Sequence, residues 1–134
     1  MTGSDAGLYW RYRAEQAGGA GDRAWRLKDR DDPSPASVAY FRILGEVMMD
    51  PVASTELVIR IVEAAPAGDD ARVHLCAGVV EDWVDGIPSD EAVALIRRAA
   101  ARSPVFGRLL AEGIEARAIW TDRGDLVRRA LGQG

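Results

Sequence analysis

Helical periodicity is the feature that most limits the folds open to this chain. Apolar residues recur every three or four positions in nearly every segment, and stretches rich in glycine or proline separate the segments, such as "GGAG" at 18–21 and "DRDDPSP" at 29–35. The alternation of apolar and polar residues that is typical of half-buried strands does not occur in the sequence. We therefore predict an all-α fold with six to seven helices.

Capping residues and prolines set the expected helix boundaries. Asp22 and Ser34 are residues that favour helix starts, and Pro35 and Pro104 suit the first helical position. The helix over 36–49, "ASVAYFRILGEVMM", is apolar almost all round, so we expect it at the buried centre. The other predicted helices are 7–17, a short one after Asp22, Asp50 to about 65, 70–86, 90–102, 103 to about 120, and 123–131.

The length of 134 residues predicts a single domain over 1–134, in which the helix and glycine-rich break of 1–21 can be peripheral. A weak internal echo links "ELVIRIVEAA" at 56–65 with "EAVALIRRAA" at 91–100. The two segments are 35 residues apart, and a period of this length is typical of repeats made of two helices each. Two arrangements therefore stay open, stacked helical hairpins of the HEAT type and an irregular bundle.

Charge is unevenly distributed along the chain, whose net charge is −4. Residues 36–86 carry three basic and nine acidic groups, which gives −6 for that part alone. Binding to nucleic acid requires a basic face, so we expect no nucleic-acid partner. An acidic middle is compatible with a basic protein partner, and equally with a surface that only keeps the protein dissolved.

Cysteine content and hydropathy give the expected location. The one cysteine cannot form an internal disulfide, and neither a signal peptide nor an apolar run long enough to span a membrane is recognisable. We expect a cytoplasmic protein that does not enter the membrane. Sixteen of the 17 basic residues are arginine, which is typical of a GC-rich bacterial genome.

The segment 70–86 carries the candidate site. Placed on a helical wheel, Cys76, Val80, Trp83 and Val84 share a broad apolar face, which predicts a buried and unreactive thiol at Cys76. The remaining arc holds the candidate partner-binding residues, which are His74, Gly78, Glu81, Asp82 and Asp85.

The residue types of this polar arc support two inferences and leave one alternative open. The carboxylates would lie in the last two turns of the predicted helix, at the negative end of its dipole, so we expect a cationic group to compensate them. Gly78 within a helix indicates that another backbone approaches closely. As an alternative, His74, Glu81 and Asp85 could form a metal or acid–base site, although His74 and Glu81 are two turns apart. We assign no catalytic residue, metal ligand or cofactor.

Two motifs resemble a family of small, uncharacterised bacterial helical proteins, a domain of unknown function whose central motif is Ala-Gly-Pro-Leu-Glu-Asp-Leu-Leu. The matching residues are Ala77, Gly78, Glu81 and Asp82 in the first motif and Ala101, Arg102, Pro104, Phe106 and Arg108 in the second. The resemblance covers roughly residues 23–110 and departs from the pattern at Val79, which replaces the proline, and at "DGIPSDE". It implies a helical fold and importance for Glu81 and Asp82, and no activity.

Together these observations favour a non-enzymatic protein-binding domain. The sharpest hypothesis is an immunity-type or inhibitor protein that binds a basic toxin or enzyme through its acidic helix face. One alternative is an enzyme or metal-binding protein that uses His74, Glu81 and Asp85. A further alternative is a homo-oligomeric structural subunit, since the sequence leaves the oligomeric state open.

Overall fold

The computed structural model describes residues 4–19, 22–76, 78–115 and 122–132. Nine helices and no strand lie within these ranges, so the all-α prediction is confirmed and the predicted number of helices is too low. The helices are α1 (Asp5–Gly19), α2 (Arg23–Asp31), α3 (Pro35–Met49), α4 (Thr55–Glu63), α5 (Asp69–Cys76), α6 (Val79–Gly86), α7 (Ser89–Arg102), α8 (Pro104–Glu115) and α9 (Gly124–Ala130).

Side chains cap several of these helices where the sequence predicts a start. The Asp22 carboxylate accepts the backbone N–H groups of Ala24 and Trp25 at the start of α2. Ser34 Oγ accepts the N–H of Ser37 at 3.1 Å, and Pro35 occupies the first turn of α3. These contacts satisfy donors that the first turn of a helix leaves without a partner.

The buried side chains form one core to which most of the helices contribute. Trp83 at its centre is fully buried, meets the Phe106 ring edge-on at a centroid distance of 5.3 Å, and donates its indole N–H to Thr55 Oγ1 at 3.0 Å. Helix α1 packs on α3 and α4 and adds the buried rings of Tyr9 and Tyr12.

The helices associate as a bundle. The two segments of the internal echo correspond to α4 and α7. Helices α7 and α8 pack on each other, whereas α4 packs on α6 and α8 more than on its neighbour α5. Within the described ranges no helix combines the length and apolar character needed to cross a membrane.

Two predicted helices differ in the structure. The helix expected over 70–86 is described as two helices, α5 up to Cys76 and α6 from Val79, and Gly78 lies in a turn. The helix expected to start at Asp50 starts at Thr55, as α4. The helix expected to reach about residue 120 is described as far as Glu115, as α8. Residues 116–121, including Trp120, lie outside the described residues, as does Ala77 of the first motif.

Candidate functional site

The break between α5 and α6 changes the predicted acidic face. Glu81 and Asp82 lie in the first turn of α6, at the positive end of its dipole, where carboxylates are stabilised. The prediction that they lie at the negative end of a long helix is therefore wrong. Only Asp85 lies near a helix C-terminus, and its side chain is exposed.

Gly78 precedes α6 and leaves too little room for a side chain. A Cβ atom built on this residue would lie 2.9 Å from the backbone carbonyl oxygen of His74, closer than Cβ atoms approach other atoms in real proteins. The sequence predicted that another backbone approaches Gly78, whereas the crowding described here comes from the preceding turn of the same segment.

His74 is turned inward, toward α1. Its Nε2 lies 2.7 Å from the hydroxyl of the fully buried Tyr9, and the centroid of its ring is 6.3 Å from that of Trp10. Burial, together with the positive charge of Arg13, lowers the pKa of His74 to about 4. The imidazole is therefore neutral at pH 7 and forms part of the packing between α1 and α5.

Asp82 acts electrostatically on tyrosines of the same cluster. Burial raises the pKa of Tyr9 and of Tyr40, and the negative charge of Asp82 acts in the same direction on both hydroxyls. The pKa of Asp82 is itself raised, first by burial and then by the charge of Asp85. His74 is therefore engaged with Tyr9 and the charge of Asp82 acts on both tyrosines, while the prediction that His74, Gly78, Glu81, Asp82 and Asp85 bind a partner stays a prediction.

The possible metal ligands and the cysteine thiol are the groups that could supply chemistry. Within the described ranges no three His, Cys, Asp or Glu side chains gather where they could hold a metal ion, so His74, Glu81 and Asp85 do not form such a site. Burial raises the pKa of the Cys76 thiol to about 11, and its side chain lies on the core face of α5, as predicted. His74 also borders an open cleft of ≈ 240 Å³ between α1 and α5.

A surface that the sequence analysis missed lies on α3. The inner face of this helix is buried through residues such as Tyr40, Ile43 and Val47. The outer face exposes large apolar side chains, so the expectation of a helix buried all round is wrong for that face. The exposed fractions are 55% for Val38, 56% for Phe41, 67% for Met48, 86% for Met49 and, in the following turn, 41% for Val52. We call these five residues the α3 stripe.

Two further features define the surroundings of the α3 stripe. Gly45 lies along it, and a Cβ built there would have no neighbour within 4 Å. Arg42 and Glu46 flank it. Arg42 donates to Glu46 Oε1 at 2.9 Å and to Asp5 Oδ1 at 2.6 Å. The sequence contained an indication of this surface. A helix with apolar residues on every side has more apolar side chains than packing against the core on one face can bury.

Comparison of the chain with models of protein families, with curated proteins and with solved structures gives no significant match. The resemblance to uncharacterised bacterial helical proteins therefore stays a prediction.

Proposed function

We propose that this chain is a non-enzymatic protein-binding domain and that the α3 stripe is its main contact surface. The observation that supports this most strongly is the run of five large apolar side chains, 41–86% exposed, along one helix and the turn after it. Large contiguous apolar patches are uncommon on monomeric proteins and typically mark sites of association. Methionine and phenylalanine are also among the residues enriched at interfaces.

Phe41 has the properties of an anchor residue for such a surface. Its ring meets Tyr12 at a centroid distance of 5.7 Å and Tyr40 at 5.3 Å, while 56% of the residue stays exposed. Both neighbouring tyrosines are buried, so the ring is held from below and presented outward. A side chain that is already ordered loses little entropy on binding.

Carboxylates near the C-terminal end of the α3 stripe support a basic partner. A Cβ on Gly86 would lie 3.0 Å from Pro51, which places the end of α6, with Asp85, beside the turn that contains Val52. Asp50 in the same region is exposed. An immunity-type or inhibitor protein that binds a basic toxin or enzyme is the sharper form of the proposal, with Glu81, Asp82 and Asp85 supplying charge complementarity and faster association.

The residues with reactive side chains support the non-enzymatic part of the proposal. His74 is engaged with Tyr9, and Cys76 packs in the core with a raised pKa. Each therefore has a structural role in the described fold. A cytoplasmic location and a bacterial source belong to the same proposal.

Capture experiments with purified, tagged protein test the proposed surface. Phe41→Asp should abolish retention of partner proteins from the source lysate, because a charge replaces the anchor. Val105→Asp is the matched control, since Val105 is 44% exposed on α8 and lies outside the stripe. A folded Phe41→Asp variant that retains every partner would contradict the surface. If a folded Glu81→Lys/Asp82→Lys variant still retains the captured partner, this contradicts only the proposal that the partner is basic.

A further inference from the structure

We propose that a second copy of this chain occupies the α3 stripe, with the two α3 helices antiparallel and related by a twofold axis at Gly45. This inference rests on the general part of the proposed function, a protein-binding domain whose contact surface is the α3 stripe, and it assigns that surface to a second copy of the chain in place of a basic partner. Three observations support it, namely the spacing of the exposed apolar residues, the open space at Gly45, and the positions of Arg42 and Glu46.

The spacing of the α3 stripe is nearly symmetric about Gly45. Val38 lies seven residues before it and Val52 seven residues after it, while Phe41 lies four before and Met49 four after. With about 100° of rotation per residue, Val38, Phe41, Met48 and Met49 lie within roughly 60° of the direction of Gly45. Val52 lies beyond Asp50, where the backbone leaves the helical conformation with φ −146° and ψ 77°, so it follows the helix without continuing its rotation.

A twofold axis that reverses one α3 against the other pairs these residues. Val38 of each copy faces the turn that follows α3 in the other copy, and Phe41 of each copy meets Met49 of the other. The second pairing brings a thioether against an aromatic ring, which is a favourable contact. The surface is thus self-complementary, as an interface between two identical copies requires.

Gly45 lies at the crossing point of this arrangement. No atom of the described residues lies within 4 Å of a Cβ built there, so packing among these residues does not require the glycine. Glycine in the middle of a helix costs about 1 kcal/mol relative to alanine. A second helix crossing at this residue explains the glycine, because two backbones without side chains between them approach closely.

Charge complementarity selects the antiparallel orientation. Arg42 and Glu46 lie on the same flank of the stripe and are 44% and 47% exposed in their side chains. In the antiparallel pair equal flanks meet, and Arg42 of one copy comes within two residues, about 3 Å along the axis, of Glu46 of the other. In a parallel pair this flank would instead face the side of Leu44 and Met48, and Arg42 would keep only its partners Asp5 and Glu46 within one copy.

The first experiment measures the mass of the purified chain by sedimentation and light scattering over a concentration series. We expect a concentration-dependent dimer with twice the mass of one chain. Phe41→Asp should weaken self-association at least tenfold, and the control Val105→Asp should leave it unchanged. Circular dichroism verifies that both variants keep the helical fold.

A charge reversal tests the proposed pairing of Arg42 with Glu46. Arg42→Glu should weaken the dimer, because two carboxylates would then meet on each flank. The double variant Arg42→Glu/Glu46→Arg should restore association. Both variants remove the contact of Arg42 with Asp5 within one copy. A difference in dimer affinity between them therefore reports the interaction of residues 42 and 46 across the interface. Equal weakening in both variants would contradict this pairing.

Oxidative cross-linking tests the orientation. Gly45→Cys should form a disulfide between copies, since both cysteines would lie near the axis. Val38→Cys alone should not, but a mixture of Phe41→Cys and Met49→Cys should cross-link. The unmodified chain is the control, because its one thiol, Cys76, is buried. Cross-linking of Val38→Cys with itself would indicate a parallel pair and overturn the proposed orientation.

The outcomes separate this inference from the proposed function. A chain that stays monomeric at every concentration overturns the inference. If Phe41→Asp then still loses a different captured protein, the α3 stripe binds another partner and the proposed function stands. If the chain is monomeric and Phe41→Asp loses nothing, both proposals are wrong.

Discussion

Substitution of Gly78 by alanine tests the break between α5 and α6. In an uninterrupted helix over 70–86, alanine would be better than glycine by about 1 kcal/mol, so the change would stabilise the protein. In the observed structure the added methyl group would lie 2.9 Å from the carbonyl oxygen of His74. That oxygen belongs to the backbone and cannot rotate away, so we expect the opposite sign.

The magnitude follows from the cost of crowding a well-packed site. Extra carbon atoms that force backbone shifts typically cost about 1–3 kcal/mol. For a domain of this size each kcal/mol lowers Tm by roughly 4 °C, so Gly78→Ala should lower Tm by roughly 4–12 °C. The same shift of α5 would disturb the bond between His74 and Tyr9, which adds to the loss.

Thermal and denaturant unfolding, followed by circular dichroism, measure this effect. Gly18→Ala is the matched control. Gly18 lies in the last turn of α1 with nothing within 4 Å of an added Cβ, so alanine there should raise the free energy of unfolding by about 0.5 kcal/mol. If Gly78→Ala stabilises the protein as Gly18→Ala does, α5 and α6 form one helix and the argument for the break is refuted.

Two predictions concern the buried reactive groups. His74 is the only histidine, so its NMR resonances should titrate with a pKa of about 4, and titration near 6.5 would contradict its buried position. The pKa of His74 in the folded protein lies below its ordinary value of 6.5, so between pH 4 and pH 6.5 the unfolded chain binds more protons than the folded one. The free energy of unfolding should therefore fall by about 1–2 kcal/mol as the pH drops through this range, a figure that allows for the partial exposure of His74. His74→Phe should remove that part of the pH dependence. Cys76 should react with a thiol reagent only as the protein unfolds, and complete reaction within seconds in the folded state would show that the thiol is accessible.

Local rules predicted the helix starts well, because their causes lie within a few residues of each start. Ser34 and Pro35 begin α3 through a hydroxyl that accepts a backbone N–H and a ring that presets the backbone angle. Periodicity likewise predicted which side of α6 is buried, and Val80, Trp83 and Val84 are all fully buried. These signals depend on the repeat of the helix alone and need no knowledge of its neighbours.

The candidate site was predicted less well, because a helical wheel assumes that the helix continues. Gly78 indicated a close approach, but spacing alone could not show that the approach ends α5 and redirects the chain. Once the helix is divided, His74 turns toward Tyr9, and Glu81 and Asp82 move to a helix start. The turn at Gly78 therefore alters two conclusions, namely which end of a helix dipole Glu81 and Asp82 lie at and which way His74 points.

The α3 stripe was missed for a different reason. A helix with apolar residues on all sides is typical of a buried position, and burial depends on how many neighbours the fold provides. Here α1 and α6 pack on α3 and leave its outer face exposed. A sequence pattern counts apolar residues but not the helices available to cover them.

The exposed and buried parts of α3 are connected through aromatic rings. Phe41 contacts Tyr12 and Tyr40, Tyr40 contacts Tyr9 at a centroid distance of 5.0 Å, and the Tyr9 hydroxyl reaches His74. The tyrosines in this series are buried. The orientation of Phe41 is therefore fixed by the same cluster that joins α1, α3 and α5, and the α3 stripe is a rigid extension of the core. Because little order has to be gained on contact, such a surface suits association with another rigid helix, and an identical α3 presents one.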